Sequence, residues 1–161
     1  MLTQGHNKGI TSLAISDKTM FTGSYEGRVC SWTQDAGTAT VVTGNCHTNQ
    51  VLGLTENSGK IYSTGLDDSF RQLSVKDKTY ENAFVAMGAV PKGLAVQKNL
   101  AALAAGDNVI LVVDGVKTVH KQKFTPTATA IDPSCQTVAV GAEVAESHSG
   151  RQRQTIYSIW I

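Results

Sequence analysis

Gly5-His6-Asn7-Lys8-Gly9-Ile10-Thr11-Ser12-Leu13-Ala14-Ile15, followed by Phe21-Thr22-Gly23-Ser24-Tyr25-Glu26-Gly27-Arg28-Val29-Cys30-Ser31-Trp32, is the stretch that decides the fold. Its landmarks recur at one constant offset. His6 matches His47, Ile10 matches Val51, Leu13 matches Leu54, Glu26 matches Asp67, and Trp32 is answered by Leu73. Each pair is separated by 41 positions, as in 47 − 6 and 73 − 32. Between the landmarks lie short runs of β-branched and aromatic residues closed by Gly- and Asp-containing turns, the signature of strands and hairpins.

The plan continues along the chain. Ile10–Ile15, Thr19–Ser24 and Val29–Trp32 are expected as strands, with Asp35-Ala36-Gly37 as a turn and Val41–Gly44 as an outer fourth strand. The second unit repeats this with Val51–Leu54, Lys60–Gly65, a turn at Asp67-Asp68, and Phe70–Val75. A third unit is weaker: Gly93–Val96, Leu100–Ala105, a turn at Asp107-Asn108, and Val109–Val113, with neither Gly-His nor Trp. Thr127–Ile131 and Thr137–Gly141 open a fourth. The polar segment from Glu143 to Gln154 then breaks the pattern before a last strand at Tyr157–Ile161. No helix of normal length is expected.

A Gly-His start, a Gly-Ser-x-acidic-Gly turn and a Trp some 26 positions after the His (32 − 6) resemble the blade of a WD40 β-propeller. The fold class is therefore expected to be all-β, a partial propeller of about three and a half four-stranded blades. The blade units fall at about 4–44, 45–86, 87–123 and 124–161, with 142–155 atypical. A propeller closes with typically 4–8 blades of ~40–45 residues, so the chain reads as a fragment of a ring it does not close. Open end blades expose strand edges and apolar faces. Alone, the chain is expected to be poorly soluble, self-associated or partly unfolded.

The resemblance to WD40 blades also assigns roles. His6, a hydroxyl from Thr22 or Ser24, Glu26 and Trp32 match a structural hydrogen-bond network, and His47 and Asp67 match part of a second one. A buried indole N–H and both nitrogens of a buried imidazole need partners, and a hydroxyl and a carboxylate supply them. Glu26 is one methylene longer than the usual Asp, and Leu73 leaves the second network without its indole. These residues are read as structural, not as a catalytic acid–base set.

Composition bounds the remaining classes. The chain has 161 residues, 41% hydrophobic and 17% charged, with 14 basic and 13 acidic side chains and a net charge of +1. So balanced a charge gives no reason to expect nucleic acid or an anionic membrane as partner. Residues 1–10 lack the charged-then-apolar progression of a signal peptide, and the apolar stretch Leu100–Val113 is broken by Gly106-Asp107-Asn108. Cys30, Cys46 and Cys135 are odd in number and widely spaced, which argues against a metal site or a disulfide framework. A cytoplasmic protein is expected.

Other motifs fail on chemistry. Gly53–Lys60 has five residues between its glycines, and Ile61 follows the Lys, so it is no phosphate loop. In Gly23-Ser24-Tyr25-Glu26-Gly27 the Ser stands second, so it is no nucleophile elbow. Asp67-Asp68 reads as a turn, and Lys117, His120, Lys121 and Lys123 as a solvated loop or outer strand. No catalytic residue, cofactor site or small-molecule substrate is expected.

Finer wording points to one family. Residues 5–32, Cys46–Val51, Gly65–Arg71, Val90–Val96 and Thr137–Gly141 resemble blades of the actin-interacting protein 1 family, also called WD-repeat protein 1. The resemblance covers about residues 4–141. It implies the opening blades of the second of two seven-bladed propellers, with actin filaments and cofilin (actin-depolymerising factor) as partners. The implied activity is non-enzymatic promotion of filament disassembly, with no residues assigned to actin contact. A generic WD40 scaffold, such as a ubiquitin-ligase or trafficking subunit, is the alternative on the same blades.

Overall fold

The computed structural model describes residues 5–33, 38–145 and 152–160. The chain divides into two units, one ending at Val90 and one starting at Pro91. Among the described residues every regular element is a strand.

The first unit holds two four-stranded antiparallel sheets. One consists of β1 (Ile10–Ser16), β2 (Thr19–Ser24), β3 (Val29–Thr33) and β4 (Ala39–Val41), in that order. The other consists of β5 (Val51–Asn57), β6 (Lys60–Gly65), β7 (Ser69–Ser74) and β8 (Thr79–Ala86). Each is a meander, because neighbours in sequence are neighbours in space. The β5–β6 hairpin closes through Ser58 (φ 54°) and Gly59 (φ 75°), two left-handed residues that suit the twist of a two-residue turn.

The second unit repeats the plan with β9 (Pro91–Gln97), β10 (Leu100–Ala105), β11 (Asn108–Val113) and β12 (Val116–Lys121). Its other sheet has three strands, β13 (Thr125–Ile131), β14 (Thr137–Ala145) and β15 (Gln152–Trp160).

Each unit has its own core. In the first, Phe21 and Val29 of one sheet meet Val51, Ile61 and Leu73 of the other, all fully buried. Val51 seats directly over Gly23: a Cβ built on that glycine would stand 2.5 Å from Val51 Cγ1. The Thr11 hydroxyl donates to the Val51 carbonyl at 2.6 Å. In the second unit Leu100, Ala102, Val109 and Leu111 pack on Val138 and Val140 of β14. Burial of this kind contributes about 25 cal/mol per Å² of apolar surface.

At the outer rim of the first unit, Thr43 bridges Thr79 in parallel. Thr43 N–H donates to the Lys78 carbonyl at 3.1 Å, and Tyr80 N–H donates to the Thr43 carbonyl at 2.9 Å.

Three expectations are corrected. The outer strand of the first sheet is Ala39–Val41, not Val41–Gly44. Ala39 pairs with Trp32 and Val41 with Cys30, and Val42 is drawn into the core, so Thr43 is free to bridge the other sheet. The third-unit turn is Gly106-Asp107, and Asn108 already pairs with Ala105. β14 runs on to Ala145 and β15 begins at Gln152, so pairing continues from Ala142–Thr155 to Ala145–Gln152 inside the segment expected to be irregular. The expected turn at Asp35-Ala36-Gly37, and His148, Arg151 and Ile161 of the tail, lie outside the described residues. The basic group falls largely on the edge strand β12.

Candidate functional site

In the first sheet, β2 and β3 hold Thr22 and Trp32 on the face turned away from β5, and the segment before β1 lays His6 across them. Trp32 Nε1 donates to Thr22 Oγ1 at 2.7 Å. His6 Nε2 lies 2.7 Å from the same hydroxyl and 3.0 Å from the Thr22 carbonyl oxygen. His6 Nδ1 lies 3.3 Å from Glu26 Oε1, which also accepts the Asn7 N–H at 3.1 Å. Thr22 is thus the hydroxyl of the network. Ser24, also buried, instead accepts the Glu26 N–H at 3.3 Å and shapes the turn. Burial opposes the Glu26 charge, but the Asn7 N–H and His6 outweigh it and hold the carboxyl below its ordinary value.

The second sheet carries a tighter version. His47 Nδ1 lies 2.9 Å from Asp67 Oδ1, and Nε2 lies 2.8 Å from Ser63 Oγ. Leu73, at the place of Trp32, is fully buried in the core and contributes no donor. Two residues unforeseen from sequence complete the network. The Ser69 hydroxyl donates to Asp67 Oδ1 at 2.7 Å, and Arg71 Nε donates to Ser69 Oγ at 3.0 Å. Arg71 Nη1 also donates to the Asn45 carbonyl at 2.9 Å, and Nη2 stands 3.6 Å from Asp67 Oδ2. The guanidinium lies 4.5 Å from the Phe84 ring centroid. The repeat offset held the signal: it sets Arg71 where the first unit has Cys30 (71 − 30), and an arginine paired opposite Ser63 needs acceptors when buried.

These groups have directional acid–base properties. Burial pushes the His47 imidazole below its ordinary 6.5, against the pull of Asp67. Burial disfavours the Asp67 charge, yet Ser69, His47 and the Thr48 N–H hold its carboxyl at about 2. Both shifts predict a fold that loses stability in acid. The unfolded His47 takes up a proton as pH falls through 6.5 while the folded one stays neutral, so stability drops from there downward. Asp67 adds a second loss between its unfolded 3.8 and about 2. The urea midpoint is expected to fall on acidification from about pH 7 to 5, and His47→Gln to flatten that part of the profile. An unchanged slope in the variant would refute the assignment.

Trp32 is half-buried, not enclosed as the sequence suggested. Trp32→Ala is therefore expected to cost about 3 kcal/mol, the lower end for aromatic truncation. His6→Ala costs less but is coupled to it through Thr22. Strictly additive losses in urea denaturation would count against the shared hydroxyl.

The networks are closed upon themselves: the named side-chain polar atoms pair with one another or with backbone groups. Among the described residues no group of three or more His, Cys, Asp or Glu side chains is placed to hold a metal ion. Among them, too, no helix is long and apolar enough to cross a membrane.

Antiparallel four-stranded meanders carrying His–acid networks at a 41-residue offset define a class, the WD-repeat chain built of β-propeller blades. No family model matches the sequence. Curated relatives do, and they are WD-repeat proteins: the chain is similar to actin-interacting protein 1 of Drosophila melanogaster (36% identical over 152 residues, 91% of this chain). It is also similar to WD repeat-containing protein 1 of Xenopus tropicalis (30% over 155 residues, 90%) and actin-interacting protein 1 of Caenorhabditis elegans (26% over 152, 89%). The chain spans about a quarter of the length of these relatives. Among solved structures, the computationally designed Ika8 protein superposes with a TM-score of 0.75 at 19% identity, over 97% of this chain and 47% of that one. The designed Ika4 protein gives 0.72 at 20%, over 98% and 94%. A chain of the mitotic checkpoint complex gives 0.73 at 16%, over 96% and 53%.

Proposed function

We propose that this chain is a non-enzymatic binding module of the actin cytoskeleton. It would be the opening blades of a second propeller, with blade units near 4–44, 45–86, 87–123 and 124–161, in a cytoplasmic parent that promotes cofilin-dependent filament disassembly. The observation that carries the reading is likeness along nine-tenths of the chain to relatives named for interacting with actin, in fly and nematode. The closed, mutually satisfied networks agree with a structural role for His6, Thr22, Ser24, Glu26, Trp32, His47 and Asp67, and leave recognition to the surface.

Two weak sites joined in one molecule gain about 10²–10⁴-fold in apparent affinity through effective concentration. Tested by itself, a stretch that matches a quarter of the relatives' length is expected to forfeit that gain. The test is pelleting and severing of actin filaments with and without cofilin, comparing this chain with a full-length parent. The chain is expected to co-sediment weakly and to sever nothing, while the parent does both. Parent-level severing by the chain would overturn the bivalency argument. A parent that ignores decorated filaments would overturn the actin reading and leave a WD-repeat scaffold.

A further inference from the structure

The four-stranded sheets close on a last strand, β4, β8 and β12, whose far edge pairs with no further strand among the described residues. An open edge invites another chain to pair, and proteins blunt it by shortening, bulging or charging the strand. β4 has only three residues. β8 is bulged between Tyr80 and Phe84, where its pairing with β7 shifts register. β12 is neither short nor bulged. It pairs with β11 residue by residue, from Val113–Val116 to Asn108–Lys121, without a shift. It also lies within the chain, with described sheets before and after it.

The open edge of β12 presents a defined set of backbone groups. Asp114 (φ 50°) and Gly115 (φ 81°) form a two-residue turn, and the residues flanking such a turn, Val113 and Val116, bond inward to each other. At the other end the Gln122 N–H donates to the Asp107 carbonyl at 2.8 Å, in step with the same alternation. Val116, Thr118, His120 and Gln122 thus bond toward β11, while Val119 and Lys121 turn their N–H and C=O groups outward.

The side chains along this edge carry one sign. Lys117, His120, Lys121 and Lys123 fall between Val116 and Lys123, with no carboxylate among them. The acidic residues that flank the stretch, Asp107 and Asp114, are engaged by the Thr125 hydroxyl at 3.2 Å and the Asn99 amide at 3.1 Å. Val119, 49% exposed, shares a strand face with Lys117 and Lys121.

We propose that β12 accepts an extended acidic segment of a partner protein as an added strand, through backbone bonds to Val119 and Lys121. The segment sets an apolar side chain beside Val119 and a carboxylate beside Lys121, as cross-strand pairs. In strand addition the main chain supplies the affinity and alternate side chains supply the specificity. A second β12 does not fit this edge, because antiparallel pairing about Val119 sets lysine against lysine. The charges that deter self-pairing therefore select an acidic strand. A nucleic acid would answer the charge but not the regular row of backbone donors and acceptors.

The test is fluorescence anisotropy of the full chain with a labelled Thr-Glu-Thr-Val-Thr-Glu-Thr peptide, joined to amide hydrogen exchange. Saturable binding that weakens with salt is expected, with exchange at Val119 and Lys121 slowed by the peptide. Two further peptides carry N-methyl groups on alternate amides, one for each edge of the strand. The one whose methyls face β12 should bind about tenfold more weakly, the loss of one or two hydrogen bonds, and the other should bind like the parent. Val119→Pro removes an outward donor at an edge position that tolerates proline, and should weaken the parent peptide by about the same factor with an unchanged circular dichroism spectrum. Lys121→Glu with Lys123→Glu should reverse the preference toward a peptide with Lys in place of Glu. Absence of saturable binding would overturn the proposal. So would parent-like binding of both N-methylated peptides, equal binding of an oligothymidylate, protection confined to strands other than β12, or a charge-reversed chain that keeps its preference for Glu.

Discussion

Arg71→Ala is expected to lower the unfolding free energy by about 3–5 kcal/mol, the range for breaking a buried ion pair by removing one partner. The guanidinium is nearly inaccessible and makes three separate attachments, to Ser69, the Asn45 carbonyl and Asp67. Without it the Asn45 carbonyl loses its donor, and the Asp67 carboxylate loses the cation that stands beside it. Arg71→Lys keeps the charge but not the planar fork, so it should recover less than half of the loss. Urea denaturation of the three proteins decides the matter. An alanine variant as stable as the parent would show that the arginine merely fills space.

Gly27→Val is expected to be comparably damaging, about 3–5 kcal/mol, for a different reason. Gly27 has a φ of 84°, a left-handed conformation that costs a side-chain-bearing residue roughly 1–2 kcal/mol. A Cβ there would stand 2.5 Å from the His47 carbonyl oxygen and 2.8 Å from that of Asn49, and backbone atoms cannot rotate away. The valine must force the turn of the first sheet off the segment that carries His47. Loss of both the thermal transition's sharpness and the protection of amides near His47 is the expected signature. A variant within about 1 kcal/mol of the parent would show that the segment gives way freely.

The repeat was legible because its landmarks are chemically demanding. A His and an acidic turn kept at one offset are not exchanged at random, so the first two sheets could be placed from the repeat, and His6, Glu26, His47 and Asp67 from the repeat together with the resemblance to WD40 blades. β2, β6 and β10 begin and end at the expected residues, being central strands whose termini are set by turn residues. The choice of Thr22 over Ser24 was not legible. Both are hydroxyls on one strand face, and the pairing of Thr22 with Cys30 brings only one of them beneath the indole. Ser69 and Arg71 were missed because burial of an arginine depends on acceptors supplied from elsewhere in the chain, Asn45 above all. The third sheet keeps an acidic turn residue, Asp107, but neither the His nor the Trp. Leu100–Ala105 is buried throughout, so no alternation marks its faces, and only length and flanking turns betray the strand.

The Thr43–Thr79 bridge bears on how the first unit would respond to mechanical load. Two backbone hydrogen bonds stitch the outer rim where the chain leaves β4, while Thr11 is fastened to Val51 at the other side of the stack. Two sheets pinned along both margins cannot swing apart like pages on a spine. Both rim bonds are made by the one residue Thr43, so tension on that residue loads the two of them together.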